Sequence, residues 1–215
     1  MPRQVDHAGR RRLIAEAVCE LADEHGLEGV SLRDVAARAQ VSMGAVQRCF
    51  RTKEEMLVFA LGHIGELIGE RVQARLVRSP AQSARTALGH AATEVALLRE
   101  EHRAEARVWL AFVAQAAVSE ALATPLRANY GELQEAFARL IAEADAAECA
   151  GAEADADADA KAGTDALRPV PLDPHREART LLALADGLTT HVLIGHLAES
   201  QAQDVLHAHL RRLWE

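Results

Sequence analysis

Aromatic residues are scarce in this 215-residue chain: two Trp, one Tyr and four Phe make up 3% of it. Cysteine numbers only three, Cys19, Cys49 and Cys149, with no two close together. There is no CxxC pair and no zinc-type spacing, so neither a disulfide scaffold nor a cysteine-held metal is expected. Unpaired thiols fit a reducing, cytoplasmic location. No apolar run approaches the roughly 20 residues of a membrane span. The longest mostly apolar stretch, Val108 to Val118, contains Gln115 and reads as a buried helix. The opening MPRQVDHAGRRR is charged and has no apolar core, so a secretory leader is not expected. A nucleophile elbow, an HExxH pair and a glycine-rich phosphate loop are all missing, so no catalytic residue, cofactor or metal site is expected.

What the chain has in excess is alanine, 45 residues. Alanine is the best helix former and a poor strand former, which argues against β structure and for an all-α fold. The formal net charge is −8, at first sight hostile to a nucleic-acid partner. Its distribution changes that reading. Residues 142–166 hold 12 alanines and eight acids against Lys161, a balance of −7. Residues 1–53 hold nine Arg/Lys against seven Asp/Glu, a balance of +2.

Apolar spacing sets out a series of helices. The first covers about Ala8 to His25, with Leu13, Ile14, Ala17, Val18, Leu21 and Ala22 on one face and Gly26 as its stop. Ser31 with Asp34 caps a short second helix ending near Ala39. Ser42 caps a third, Met43 to Phe50, and Thr52 with Glu55 opens a long fourth. After Pro80, helices are expected over Gln82–Leu98 and Glu101–Ser119, with Thr124-Pro125 opening another. Residues 142–174 form an acidic, Ala/Pro-rich segment with too little apolar surface to offset ordering, expected to fray from helix into a mobile linker. Two last helices are expected over His175–Glu199 and Gln203–Trp214.

Two short Ser-capped helices joined by a few residues form the helix-turn-helix pattern, whose second helix enters the major groove. Gly44 and Ala45 are small enough for close backbone approach. Gln47 can pair with adenine and Arg48 with guanine, while capped helix N-termini suit phosphates. The candidate DNA-contacting residues are Ser31, Arg33, Ser42, Met43, Gly44, Ala45, Gln47, Arg48, Thr52 and Lys53; Val46 and Phe50 are core. Arg10, Arg11 and Arg12 are either a phosphate-binding arm or a solvated start.

The string VSLRDVAARAQVSMGAVQRCFRTKEEML, Val30 to Leu57, resembles the TetR family of transcriptional regulators through Val35, Ala36, Ala39, Val41, Ser42, Gly44, Phe50, Thr52, Lys53, Glu54 and Leu57. The resemblance implies a DNA-binding domain over 1–53 and a helical effector-binding and dimerisation domain over 54–215. It implies a homodimeric repressor that leaves a palindromic double-stranded operator when a small, partly apolar effector binds. Its last two helices, 175–214, would form the dimer bundle, placing Leu184, Gly187, Leu188, His191, Leu206 and Leu210 in the interface. Gln40 departs from the family's turn glycine, and a left-handed backbone there would cost Gln about 1 kcal/mol. Gln47 replaces the family's Tyr, so Arg48 and Lys53 are expected to take more of the phosphate contact.

Aromatics with a few polar groups line most small-molecule sites. In the body, Trp109, Phe112, Tyr130 and Phe137, with His90, Thr93 and Gln115 as polar partners, are the candidate effector-pocket residues. Their bland reading is core filling. His191 and His196 would stand about 140° apart on a continuous helix, which gives no shared metal-binding face. The alternative to a regulator is an all-α ligand-binding protein or enzyme that does not bind DNA.

Overall fold

The computed structural model of the chain describes residues 7–78, 83–158 and 172–214. Among them the chain forms nine α-helices and no strand: α1 His7–His25, α2 Leu32–Arg38, α3 Met43–Cys49, α4 Lys53–Arg78, α5 Ala84–Val95, α6 Arg103–Ala116, α7 Glu120–Ala158, α8 Pro174–Leu193 and α9 Glu199–Arg212. A 3-10 turn, Glu100–His102, leads into α6. The all-α expectation holds.

Side-chain caps place the helix starts. The Ser31 hydroxyl accepts from the Asp34 N–H at 3.2 Å, Ser42 from Ala45 at 3.2 Å, Thr52 from Glu55 at 3.0 Å and Ser83 from Thr86 at 3.2 Å. Each satisfies one of the donors a helix N-terminus leaves open. Glu55 also reaches back past the N-cap and accepts from the Arg51 N–H at 2.8 Å. Gly26 ends α1 at φ +71°. Gln40 follows α2 at φ +54°, and the Val41 and Gln40 N–H groups return to Ala36 and Ala37 carbonyls at 2.9 and 3.2 Å. Those two bonds make a Schellman stop with a left-handed Gln at its bend.

Several helix bounds differ from the sequence expectation. α7 starts at Glu120 rather than at Thr124-Pro125, leaving Pro125 inside it. Leu122 and Leu126 are buried, and Glu120 holds Arg127 and Thr124 across the first turns, so packing overrides the proline. α7 also continues to Ala158, so residues 142–158 of the expected linker are helical. The alanines that deprive the segment of apolar surface are strong helix formers, and Glu148 pairs with Arg85 of α5 at 3.0 Å. The remainder of that linker up to 171 lies outside the described residues. α8 stops at Leu193, six residues before its expected end at Glu199, and Gly195 just beyond it takes φ +74°; α9 then starts at Glu199 rather than Gln203.

Two apolar clusters hold the chain together. One joins α1, α2 and α3 to α4, α6 and the start of α7, through Ile14, Val18, Val35, Val46, Phe50, Met56, Ile64, Phe112 and others. The second joins α5, α7, α8 and α9 around Leu88, Phe137, Ile141, Leu181 and Leu206. The core of the first three helices is thus continuous with the body through α4 and α6. The buried Glu94 is balanced by Arg99 at 3.0 Å and Arg71 at 3.9 Å, and Arg71 also grips Glu105 of α6 with two bonds of 2.7 Å. These pairs tie α4, α5 and α6.

Candidate functional site

Helix α3 has two turns, so its two faces divide cleanly. Ala45, Val46 and Cys49, at i, i+1 and i+4, face the core and are buried. This corrects the expectation that Ala45 lies on the exposed face of α3: its side chain packs inward. Ser42, Met43, Gln47 and Arg48 are exposed on the other face and Gly44 is half-buried. The Arg48 guanidinium lies over Gly44, where an added Cβ would be 3.5 Å from it. Among the described residues Arg33 and Arg48 make no ion pair, whereas Arg38 is held by Glu20 at 3.1 Å and Glu24 at 2.6 Å. The two exposed, unpaired guanidiniums flank the turn, as an anionic partner requires.

Other expected contacts are committed elsewhere. The Ser31 hydroxyl is taken up by Asp34, and Thr52 by Glu55. Lys53 is half-buried and donates to the Glu28 carbonyl at 3.4 Å. Arg11 is no loose arm: its guanidinium stands 4.5 and 4.4 Å from the Phe50 and Phe59 ring centroids, a cation–π clamp between α1, α3 and α4.

The body encloses a cavity of about 360 Å³, within the range of small-molecule sites. Its walls are apolar: Ile68, Val72 and Leu76 of α4, Ala91 of α5, Leu133, Phe137 and Leu140 of α7, and Leu182 of α8. At one side three residues from three helices converge. The Trp109 Nε1–H of α6 donates to Asp186 Oδ1 of α8 at 3.2 Å, and the Tyr130 hydroxyl of α7 donates to Asp186 Oδ2. The Trp109 and Tyr130 rings meet edge to face, 5.8 Å between centroids. Burial raises the Asp186 carboxyl above the usual carboxylate range, with the two donated hydrogen bonds opposing that shift. Burial, with Asp186 as hydrogen-bond partner, holds the Tyr130 phenol well above its ordinary value. Gly65 of α4 seats Asn129, since a Cβ there would fall 2.9 Å from the Asn129 Nδ2.

Comparison with known proteins agrees with both halves of this geometry. Residues 14–58 match the model described as bacterial regulatory proteins, tetR family, and residues 84–164 and 160–215 match that of the BetI-type transcriptional repressor, C-terminal. The HTH-type transcriptional regulator PksA of Bacillus subtilis is 31% identical over 196 residues, covering 90% of this chain and 83% of that one. The chain belongs to the TetR family of DNA-binding transcriptional regulators. A transcriptional regulator of Rhodococcus sp. Rha1 superposes with a TM-score of 0.72 at 27% identity, covering 94% of this chain and 95% of that one. The HTH-type transcriptional repressor KstR of Mycolicibacterium smegmatis is 42% identical over 59 residues, 27% of this chain and 29% of that one. The head match sets aside the alternative of a ligand carrier lacking a DNA-binding domain. No helix among the described residues is long and apolar enough to cross a membrane.

In this TetR-family chain the structure gathers only part of the expected pocket. Trp109, Tyr130 and Phe137 line the cavity. Phe112 is fully buried in the first cluster instead, because its position on α6 faces α1 and α4. His90, Thr93 and Gln115 do not line it; the Thr93 hydroxyl is bonded back to the Gly89 carbonyl at 2.7 Å, and Gln115 sits in a separate depression with Lys53 and Leu122. Sequence reading missed Asp186 and Asn129.

The expected dimer residues split as well. Leu188 and Leu206 are buried within the protomer and cannot meet a partner. Gly187 and His191 are exposed, and Leu184 and Leu210 half-buried. The His191 and His196 rings, expected on different faces, stand 4.9 Å apart, because the turn at Gly195 folds the chain back and the His196 N–H bonds the His191 carbonyl at 2.9 Å.

Proposed function

We propose that the chain acts in the cytoplasm as a homodimeric repressor that a small-molecule effector releases from a palindromic operator. Residues 1–53 read DNA and residues 54–215 bind the effector and the second protomer. The observation that carries this reading is the placement of α6. Its Trp109 bonds Asp186 at the cavity, and two residues earlier Arg107 donates to Asp23 of α1 at 3.0 Å. A ligand that shifts Trp109 therefore strains a link to the head. In the dimer, two α3 helices enter successive major grooves about 34–36 Å apart. The effector favours a state in which that spacing is wrong, and it shifts the equilibrium only by its differential affinity for the two states. The outward side of α8, with Ala183, Gly187 and Ile194 exposed, supports dimerisation there, together with Val205 of α9.

The test is fluorescence anisotropy with DNA flanking the protein's own gene. Salt-sensitive, sequence-selective binding is expected, weakened roughly 10–100-fold per half-site by Arg48→Ala if the guanidinium reads a guanine. Binding that is insensitive to sequence refutes the reading.

A further inference from the structure

We propose that the cavity takes an apolar molecule carrying a protonated amine, its cation seated on Asp186 beside the Trp109 and Tyr130 rings. This rests on the reading of the cavity as the effector site.

The charge census of the walls is one-sided. Two acids, Asp186 and Glu132, line the cavity, and among the described residues no Arg, Lys or His does. Asp186 accepts from two neutral donors, Trp109 and Tyr130, and among the described residues no basic side chain pairs with it. Asp186 is half-buried and, among the described residues, unpaired; Glu94, which is buried, is instead matched by Arg99 and Arg71. A carboxylate desolvated without a counter-charge is costly, and a ligand cation supplies what the fold omits. Two aromatic rings next to the carboxylate add cation–π attraction.

A second feature of the wall selects among cations. The Asn129 Oδ1 is buried and has no hydrogen-bond partner. Asn129 lines the cavity, and a turn of its amide offers that orphan acceptor to an ammonium bearing N–H donors, which a quaternary ion lacks. The remaining walls, from Leu76 of α4 to Leu140 of α7, suit a hydrocarbon tail. A carboxylate ligand would meet two like charges, and a neutral one would leave Asp186 unmatched.

Calorimetric titration of the full-length protein with n-octylamine, n-octyltrimethylammonium, n-octanol and n-octanoate tests this. Octylamine is expected to bind roughly 10–100-fold more tightly than octanol, the scale of a hydrogen bond to a charged group. Octanoate is expected to bind least, and the quaternary ion less tightly than octylamine. Asp186→Asn should bring octylamine and octanol to similar affinity without weakening octanol. Octanol or octanoate matching octylamine in the wild type overturns the charge assignment while leaving the cavity as a ligand site. Equal binding of the quaternary ion overturns the part given to Asn129. If none of the four binds, the effector-site reading itself fails. The wild-type ranking needs no variant, so poor folding of D186N would not spare the inference.

Discussion

Gln40→Gly should stabilise the protein and leave operator recognition intact. Gln40 is the bend residue between α2 and α3, at φ +54°, where a side chain's Cβ crowds the following carbonyl. The general penalty for an L-residue there is about 1–2 kcal/mol. Glycine removes it but adds unfolded-chain freedom worth about 0.4–1 kcal/mol. Taking the middle of each range, the net gain is about 0.8 kcal/mol. For a chain of this size each kcal/mol moves Tm by about 2–4 °C, so a rise of about 1–4 °C is expected. Because the first cluster runs unbroken from α1 to α6, strain in the head turn registers in the global transition. Gln40 is exposed, so the change removes no packed contact.

Thermal unfolding followed by far-ultraviolet circular dichroism reads the effect, with two controls. Gln40→Ala keeps the Cβ and should give no gain. Gly26→Ala introduces the same strain at φ +71°, where the new Cβ would meet nothing within 4 Å, so it should cost about 1 kcal/mol through the backbone alone. The other left-handed non-glycine residue among the described residues, Leu97 at φ +49°, is unsuitable because its side chain is buried in the core. An unchanged or lower Tm for Gln40→Gly, or an equal rise for Gln40→Ala, refutes the strain argument.

Two further outcomes follow from the body. On the proposed dimer, Gly187→Leu should give a monomer in light scattering after gel filtration where the wild type gives a dimer, without unfolding the protomer, since an added Cβ there meets nothing within 4 Å; its neighbour Leu188→Ala should instead cost about 2–5 kcal/mol of stability, because that side chain is buried inside one protomer. A dimer unaffected by Gly187→Leu moves the interface elsewhere. For ligand-free protein, the raised Asp186 carboxyl sets the sign of a pH effect: its contribution is full below the unfolded value of about 3.9 and is lost as pH rises through the higher folded value. Urea unfolding should thus show the wild type losing stability relative to Asp186→Asn as pH rises across that window, and a constant difference would argue that Asp186 does not titrate there.

The DNA-reading half was legible because its determinants are local. Ser31, Ser42 and Thr52 cap helices three residues ahead, and the Gln40 strain follows from its place after a seven-residue helix. Ala45 was misplaced because smallness alone does not say which side of α3 a residue takes; Val46 and Cys49 beside it decide that by sharing its face. The same limit governed Leu188 and Leu206. Apolar residues on α8 and α9 satisfy either a protomer core or a dimer seam, and α5 and α7 had to be placed before the first could be chosen. Where a turn intervened, as at Gly195, helical angles carried past it misplaced His196 as well.

The cavity was least legible, for a reason that is physical. Trp109 and Asp186 are 77 residues apart and Tyr130 and Asp186 are 56 apart. No helical period links them, and Asp186 on its own reads as one more solvated acid in a chain with 32 acidic residues. Its distinction is relational: it is half-buried beside apolar walls with two neutral donors and, among the described residues, no cation. His90, Thr93 and Gln115 looked better because they are polar residues in apolar helices, yet Thr93 satisfies itself on its own helix. A polar group that the fold leaves incomplete points to a ligand, and two share the cavity wall: Asn129, whose Oδ1 has no hydrogen-bond partner, and Asp186, whose two donors are neutral.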